Sequence, residues 1–456
     1  MNVDTGDTAW VLMSSALVLL MTPGLAFFYG GMVRSKAVLN MLMMSMLTIG
    51  IVTPLWVLYG FSLSFGTENA SGLIGDFSAA GLSDMLDTTA VNGANYPIPI
   101  LVFAAFQLMF AIITPALISG AIADRAKFGA WALFVAAWVT LVYFPVAHWV
   151  FAFGDAAGNG AGWLANWGVL DFAGGTAVHV NAGAAGLALA IVLGRRIGWR
   201  RDPMRPHSLP LVMLGAGLLW FGWFGFNAGS ALGASSAAAM AFMNTQVATA
   251  TAMLGWLLVE KVRDGHATTL GAASGAVTGL VAITPSCASV TPVGSIALGL
   301  IAGAVCAYAV GLKYRFGFDD SLDVVGVHLV GGAVGSILIG LLAAPSSVMG
   351  ATGVLYGGGA DGWTLLGKQT VAVLSVGAFS FAVAFLIGKT IDLVMGFRIS
   401  EEDEVTGIDQ LAHAETAYDF HQAFGGVRTP ALVTPGGSLA EPDDQQPVPD
   451  KESVDA

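Results

Sequence analysis

Residues 98–123 read IPILVFAAFQLMFAIITPALISGAIA. No charged side chain interrupts the run, and a helix of this length exceeds the ~20 residues needed to cross a hydrocarbon core of about 30 Å. The same texture recurs along the chain. Membrane-length apolar runs are expected at roughly 9–31, 38–62, 98–123, 127–152, 173–194, 209–230, 238–259, 268–285, 292–312, 325–343 and 368–396, eleven in all. Apolar residues make up 55% of the chain, charged residues only 11%, and the mean hydropathy is +0.74. Soluble domains carry about 25% charge, so cytosolic enzymes, nucleic-acid binders and disordered scaffolds are excluded. The reading is an all-α polytopic membrane protein in a lipid bilayer. Its 60 glycines suit helices that approach closely.

The net charge of −12 says little about a substrate surface. Residues 397–456 hold 13 acidic and 3 basic residues, whereas residues 1–396 hold 17 and 15. The acidity belongs to a C-terminal tail. Basic residues set the orientation. Arg34, Lys36, Arg125, Lys127, the group from Arg195 to Arg205, Lys261, Arg263, Lys313 and Arg315 all follow odd-numbered spans. Lys389, Arg398, Arg428 and Lys451 lie at or beyond the end of the last span. Of 18 basic residues only Lys368 falls on the other side. The positive-inside rule therefore puts the N-terminus outside and the C-terminus in the cytoplasm. The acidic lead Met1–Ala9 lacks the positive region of a cleavable signal peptide.

Eleven spans divide as five, five and one, and an odd-numbered repeat inverts its copy across the membrane. Asp171-Phe-Ala-Gly-Gly-Thr-Ala-Val-His179 opens span five and Asp323-Val-Val-Gly-Val-His328 opens span ten. Each places an Asp near the start and a His inside. A histidine in the bilayer is a functional candidate by default, although one alone can be a neutral imidazole satisfied by a helix neighbour. Asp171 suits an N-cap, where a carboxylate is favoured. His148 fits the outer interface. Trp220, Phe221, Trp223, Phe224 and Phe226 crowd the outer end of span six near Ser230. An aromatic belt accounts for many such clusters, but rings with a hydroxyl also suit a small cation. Phe110 in span three is a further ring. Cys287 and Cys306 read as small buried thiols. No zincin, nucleophile-elbow, Walker or Cys-x-x-Cys motif is present, so the chain reads as no enzyme, with no cofactor, metal or nucleic acid.

These residues carry a resemblance. Pro23-Gly-Leu-Ala-Phe-Phe-Tyr-Gly-Gly31, Asp171-Phe-Ala-Gly-Gly-Thr-Ala-Val-His-Val-Asn-Ala-Gly183, Gly222-Trp-Phe-Gly-Phe-Asn-Ala-Gly-Ser230 and Asp323-Val-Val-Gly-Val-His328 resemble, in order, motifs of the ammonium transporter (Amt/Mep/Rh) family, bacterial Amt type. The resemblance runs from about residue 8 to 420. It implies a homotrimer with one pore per subunit, carrying ammonium or ammonia and also methylammonium. His179 and His328 match the paired pore histidines, and Phe110 and Phe226 the stacked gate. Ser230 matches the outer recruitment site, joined there by Phe110, Phe151, Trp223 and the supporting Asp171. Trp223 also matches the pore-side Trp. One departure stands in Pro145-Val-Ala-His-Trp-Val-Phe151, where relatives often carry Trp at the position of Phe151. A weaker outer site and compensation by Trp163 remain alternatives.

Residues 1–396 are then the transport domain, with repeats at about 9–194 and 209–343. Residues 397–424 resemble the family's regulatory region, with Glu401, Asp403, Gly407, Asp409 and Tyr418 as its candidate residues and a PII-type signal protein as the implied partner. Residues 425–456, rich in Pro, Gln and acid, read as disordered. An ammonium sensor signalling through the tail and a Rhesus-like neutral ammonia channel are the alternatives.

Overall fold

Apolar runs without charge become helices because only a helix satisfies every backbone group inside lipid. The computed structural model describes residues 3–418 apart from 68–70, 84, 86 and 203. Eleven long helical segments follow in order: α1 (Thr5–Met32), α2 (Val38–Phe65), α3 (Ile100–Ile122), α4 (Phe128–Phe151), α5 (Gly175–Leu193), α6 (Leu209–Gly229), α7 (Ser236–Arg263), α8 (Thr269–Ile283), α9 (Pro292–Phe316), α10 (Val325–Leu342) and α11 (Gly359–Met395). Among the described residues nine of these are long and apolar enough to cross a membrane. The other two sit where spans seven and eight were expected. α7 has the length but a more polar sequence, with Asn244, Thr245, Thr249 and Thr251 along it, and α8 is only 15 residues long. The chain is an all-α polytopic membrane protein. Leu58 and Leu374, 60% and 65% exposed within their helices, present the greasy surface that lipid covers.

The ends of the helices follow local rules. Asp4, Ser208, Thr268 and Thr291 each accept a backbone N–H at the start of α1, α6, α8 and α9. Where α7 crosses α9, an added methyl at Gly303 would lie 2.1 Å from the Ala252 carbonyl, so only glycine permits that contact. Helix α11 starts at Gly359, nine residues before the expected boundary, and Lys368 is inside the helix instead of at its first residue. His148, expected at the interface, is fully buried with Nδ1 3.1 Å from the Ser64 carbonyl. The outer segment after α2, expected to be a plain loop, contains an antiparallel hairpin of β1 (Thr89–Val91) and β2 (Asn95–Pro99).

Beyond α11 the chain turns at Gly396 and docks on the loop between α3 and α4. The Lys127 N–H donates to Phe397 O and the Ile399 N–H to Arg125 O. Two short helices follow, α12 (Glu401–Thr406) and α13 (Ile408–His413). The 425–456 segment and residues 419–424 of the regulatory region lie outside the described residues.

Candidate functional site

Two of the helix starts are unusual. α5 and α10 both begin as π-helical turns, Gly175–Val180 and Val325–Leu329, and each turn carries one histidine. Such wide turns often occur at functional sites. They bring His179 and His328 face to face at the centre of the molecule, Nδ1 to Nδ1 at 3.3 Å, with ring planes 22° apart. Both are essentially buried, and His179 Nε2 has no hydrogen-bond partner among the described residues. At a shared Nδ1 contact one nitrogen donates and the other accepts, which leaves each Nε2 free for something else.

The free edges face a cavity of about 10 Å³, enough for one water-sized molecule. Its walls are aliphatic and aromatic: Met21, Leu25, Ile113, Leu117, Leu219 and Val277, with Trp223 and Phe226 beside the histidines. The Trp223 ring lies 5.4 Å from that of His179, and its indole N–H donates to Thr284 Oγ1 at 2.8 Å. No carboxylate or ammonium group lines this space.

Beyond Phe226 lies a second cavity, a vestibule of about 360 Å³ lined by Phe110, Phe151, Asp171 and Ser230 together with Tyr96, Gln107, Phe153 and Phe172. Phe110 belongs to the vestibule and Phe226 to the inner cavity, and their rings meet at 4.3 Å between the two. Ser230 donates its hydroxyl to Phe226 O at 2.8 Å, so its lone pairs remain to accept from a cation. Asp171 is 7% exposed. Its carboxylate accepts from the N–H groups of Gly174 (2.8 Å), Gly175 (2.6 Å) and Thr176 (2.8 Å) and from the Thr176 hydroxyl. It thereby closes the start of α5 and places negative charge behind the vestibule. Burial pushes this carboxyl above its ordinary value, and the hydrogen bonds from Thr176, Gly174 and Gly175 oppose that.

The sequence grouping is redistributed in three places. Trp223, placed by sequence both in the outer set and on the pore side, lines the inner cavity and not the vestibule. Trp163, a candidate replacement ring, packs against Trp149 and Trp167 and does not line the vestibule. Asp323, paired with His328 by sequence, instead forms an ion pair with Lys313 at 2.6 Å. The residue equivalent to Asp171 is Asp320, which accepts from the N–H groups of Val324 and Val325. The signal was present: Asp171 to His179 and Asp320 to His328 have the same spacing. Asp320 lies just outside the span, and burial raises its carboxyl to about 6 although Lys313 pulls it down.

The tail residues make specific contacts with the loops at their own end of the helices. Asp409 accepts from the N–H groups of Leu39 and Asn40, at 3.0 and 2.8 Å. Gly407 has a φ of +120° beside Lys36. Glu401 is exposed and Asp403 partly so, while Tyr418 is 37% exposed. The tail residue that sequence reasoning missed is Glu404, 1% exposed, which accepts from Ile197 N–H and pairs with Arg398 at 2.8 Å and Arg34 at 3.8 Å. In a run of four acids nothing local distinguishes the buried one.

A polytopic helical protein with an apolar, histidine-lined inner cavity next to an aromatic vestibule has the architecture of a membrane transporter. Residues 9–418 match the Ammonium Transporter Family, and the chain belongs to that family. An ammonium transporter of Mycobacterium bovis is 58% identical over 450 residues, covering 94% of both chains. One from Bacillus subtilis is 46% identical over 417 residues, covering 91% of this chain and 98% of its own. Among solved structures, Candida albicans Mep2 is similar with a TM-score of 0.80 at 34% identity, covering 88% of each chain. A sensor Amt protein is similar with a TM-score of 0.81 at 29% identity, covering 90% of this chain and 98% of its own. The protein is thus a multi-pass plasma-membrane transporter of ammonium or ammonia, and not an enzyme.

Proposed function

We propose that ammonium is recruited in the outer vestibule, loses its proton there and crosses as ammonia past His179 and His328. What supports this most directly is the apolar cavity that the paired histidines share, separated from the vestibule by Phe110 and Phe226. Magnitudes decide the chemical form. Carrying a bare ion of this size into low dielectric costs of order 20 kcal/mol before relaxation. A desolvated cation–π contact returns ~2 kcal/mol. Ammonium titrates roughly two units above neutrality, so releasing its proton at pH 7 costs only ~3 kcal/mol. Deprotonation wins, and the ion stops at the mouth formed by Ser230, Phe110 and Phe151 with Asp171 behind. Inside, each free Nε2 offers the neutral solute one hydrogen bond, and Phe226 must swing aside for it to pass. The released proton travels along the histidine pair, which makes net transport electrogenic.

The wider reading is a homotrimer of eleven-span subunits, N-terminus outside, with two five-span repeats inverted across the membrane and α11 added. The equal Asp–His spacings and the π-helical starts of α5 and α10 support the repeat. Methylammonium is a second substrate. The tail from 397, through Glu401, Asp403, Gly407, Asp409 and Tyr418, regulates the pore and meets a PII-type protein at the cytoplasmic face. The test is labelled methylammonium uptake in proteoliposomes with simultaneous current. A second reading, an ammonium sensor, draws on the similarity to the sensor Amt protein and on the docked tail; binding without appreciable flux would favour it.

A further inference from the structure

The vestibule is completed by a segment the transport reading has not used. Asn92, Gly93, Ala94 and Tyr96 of the β1–β2 hairpin line it opposite Ser230. α4 ends at Phe151, where the last carbonyls and the next N–H run out of helical partners. Asn92 supplies them. It is 8% exposed; its Nδ2 donates to Phe151 O at 2.9 Å, and its Oδ1 accepts from the Phe153 N–H at 2.7 Å. One carboxamide thus stands where a neighbouring peptide would, bracketing the two residues whose rings face the vestibule. The Gly93 N–H extends the pairing to Gly154 O at 2.8 Å. With φ at +72°, Gly93 sits so close that an added methyl would lie 2.6 Å from Phe153 Cβ. Hairpin turn and aromatic wall therefore form one packed unit.

Cation–π attraction depends on the ring face being aimed at the ion, and a phenyl ring is a weaker face than an indole. With Phe at position 151, little attraction remains if that ring drifts. The geometry points to Asn92 as a positioning residue of the cation site: through the backbone of Phe151 and Phe153 it sets the rings that recruit ammonium, and with them the apparent affinity. This rests on the transport reading above. Asn92 does not touch the inner cavity or the histidines, so it acts on recruitment and leaves passage alone.

The test is the concentration dependence of labelled methylammonium uptake by the full-length protein in proteoliposomes, with unlabelled ammonium as competitor. Asn92→Ala is expected to raise the apparent KM about tenfold, the worth of one well-placed cation–π contact, with the maximal rate within a factor of about two. In a Phe151→Ala background the same change is expected to add less than in the wild type, because only the Phe153 ring is left to position. A purely structural role would lower the maximal rate through lost folded protein and leave KM alone. Should Asn92→Ala not be recovered folded, Asn92→Ser replaces it, since its hydroxyl is too short to reach both backbone groups. Unchanged KM, or full additivity with Phe151→Ala, overturns the inference. A wild-type protein that takes up no label overturns the transport reading and the inference with it.

Discussion

At the residue scale, the proposed path runs past two imidazoles that stack and meet Nδ1 to Nδ1 at 3.3 Å. Replacing either by alanine removes a polar partner from an apolar cavity and opens a void beside Trp223. His179→Ala and His328→Ala are each expected to reduce methylammonium uptake at least tenfold, with the detergent-solubilised protein keeping its wild-type elution volume. Uptake at the wild-type rate in both variants would remove the pore assignment. Asp171 acts differently, because its carboxylate satisfies four buried N–H groups at the start of α5, those of Gly174, Gly175, Thr176 and Ala177. Leaving buried donors unpaired costs ~1–3 kcal/mol each. Asp171→Ala is therefore expected to lower the thermal midpoint as well as uptake, whereas the histidine variants lower uptake with little effect on the midpoint. The paired histidines were legible in the sequence because an ionisable residue in an apolar run stands out. Asn92 was not, since it lies in a loop among other polar residues and acquires its role only from the segment that folds against it, and Asp320 stood out only by its spacing to His328, with Asp319 and Asp323 beside it.

At the element scale, ion pairs join the inner ends of the helices to the tail. Arg196 holds Asp319 through two hydrogen bonds, at 3.0 and 2.9 Å, and reaches Asp124 at 3.3 Å. Burial pushes the Asp319 carboxyl up, but the hydrogen bonds and charge of Arg196 outweigh it and hold the group below its ordinary value. A depressed carboxylate contributes stability that is complete above its unfolded value of about 3.9 and disappears as pH falls through the lower folded value. The stability difference between wild type and Asp319→Asn, read by thermal unfolding, is thus expected to be constant from pH 5 to 8 and to shrink below about pH 4. A difference that changes between pH 8 and 6 would contradict this. Glu404→Ala breaks the tail's buried anchor; because Arg398 and Arg34 are each about a quarter exposed, a loss of about 1–3 kcal/mol is expected. Protection of the 397–413 amides from hydrogen exchange should fall with it, and unchanged protection would mean that the anchor is elsewhere. The helices themselves were readable from apolar run length to within a few residues, except α11, whose start is masked by the Gly- and Ala-rich residues before Lys368. The β1–β2 hairpin was not readable, for its two short strands lack a clean alternation and gain their order from α1 and α3, with the end of α4 at the turn.

At the scale of the whole molecule, the asymmetry of basic residues predicts which ends face the cytoplasm. Cys287 and Cys306 are fully buried, so single cysteines introduced at Thr5 and at Glu415 can be labelled against a silent background. The first is expected to react with an impermeant maleimide from outside intact cells and the second only after lysis; the reverse pattern would invert the topology. The deeper claim is that a charged substrate is carried in uncharged form while its proton takes a separate route along the histidine pair. Current and labelled uptake recorded together on the same proteoliposomes test it most directly. The expected result is an inward current on ammonium addition that accompanies uptake in the wild type and vanishes with uptake in His179→Ala and His328→Ala. Robust wild-type uptake with no current would contradict the proton relay and leave a channel for neutral ammonia in its place.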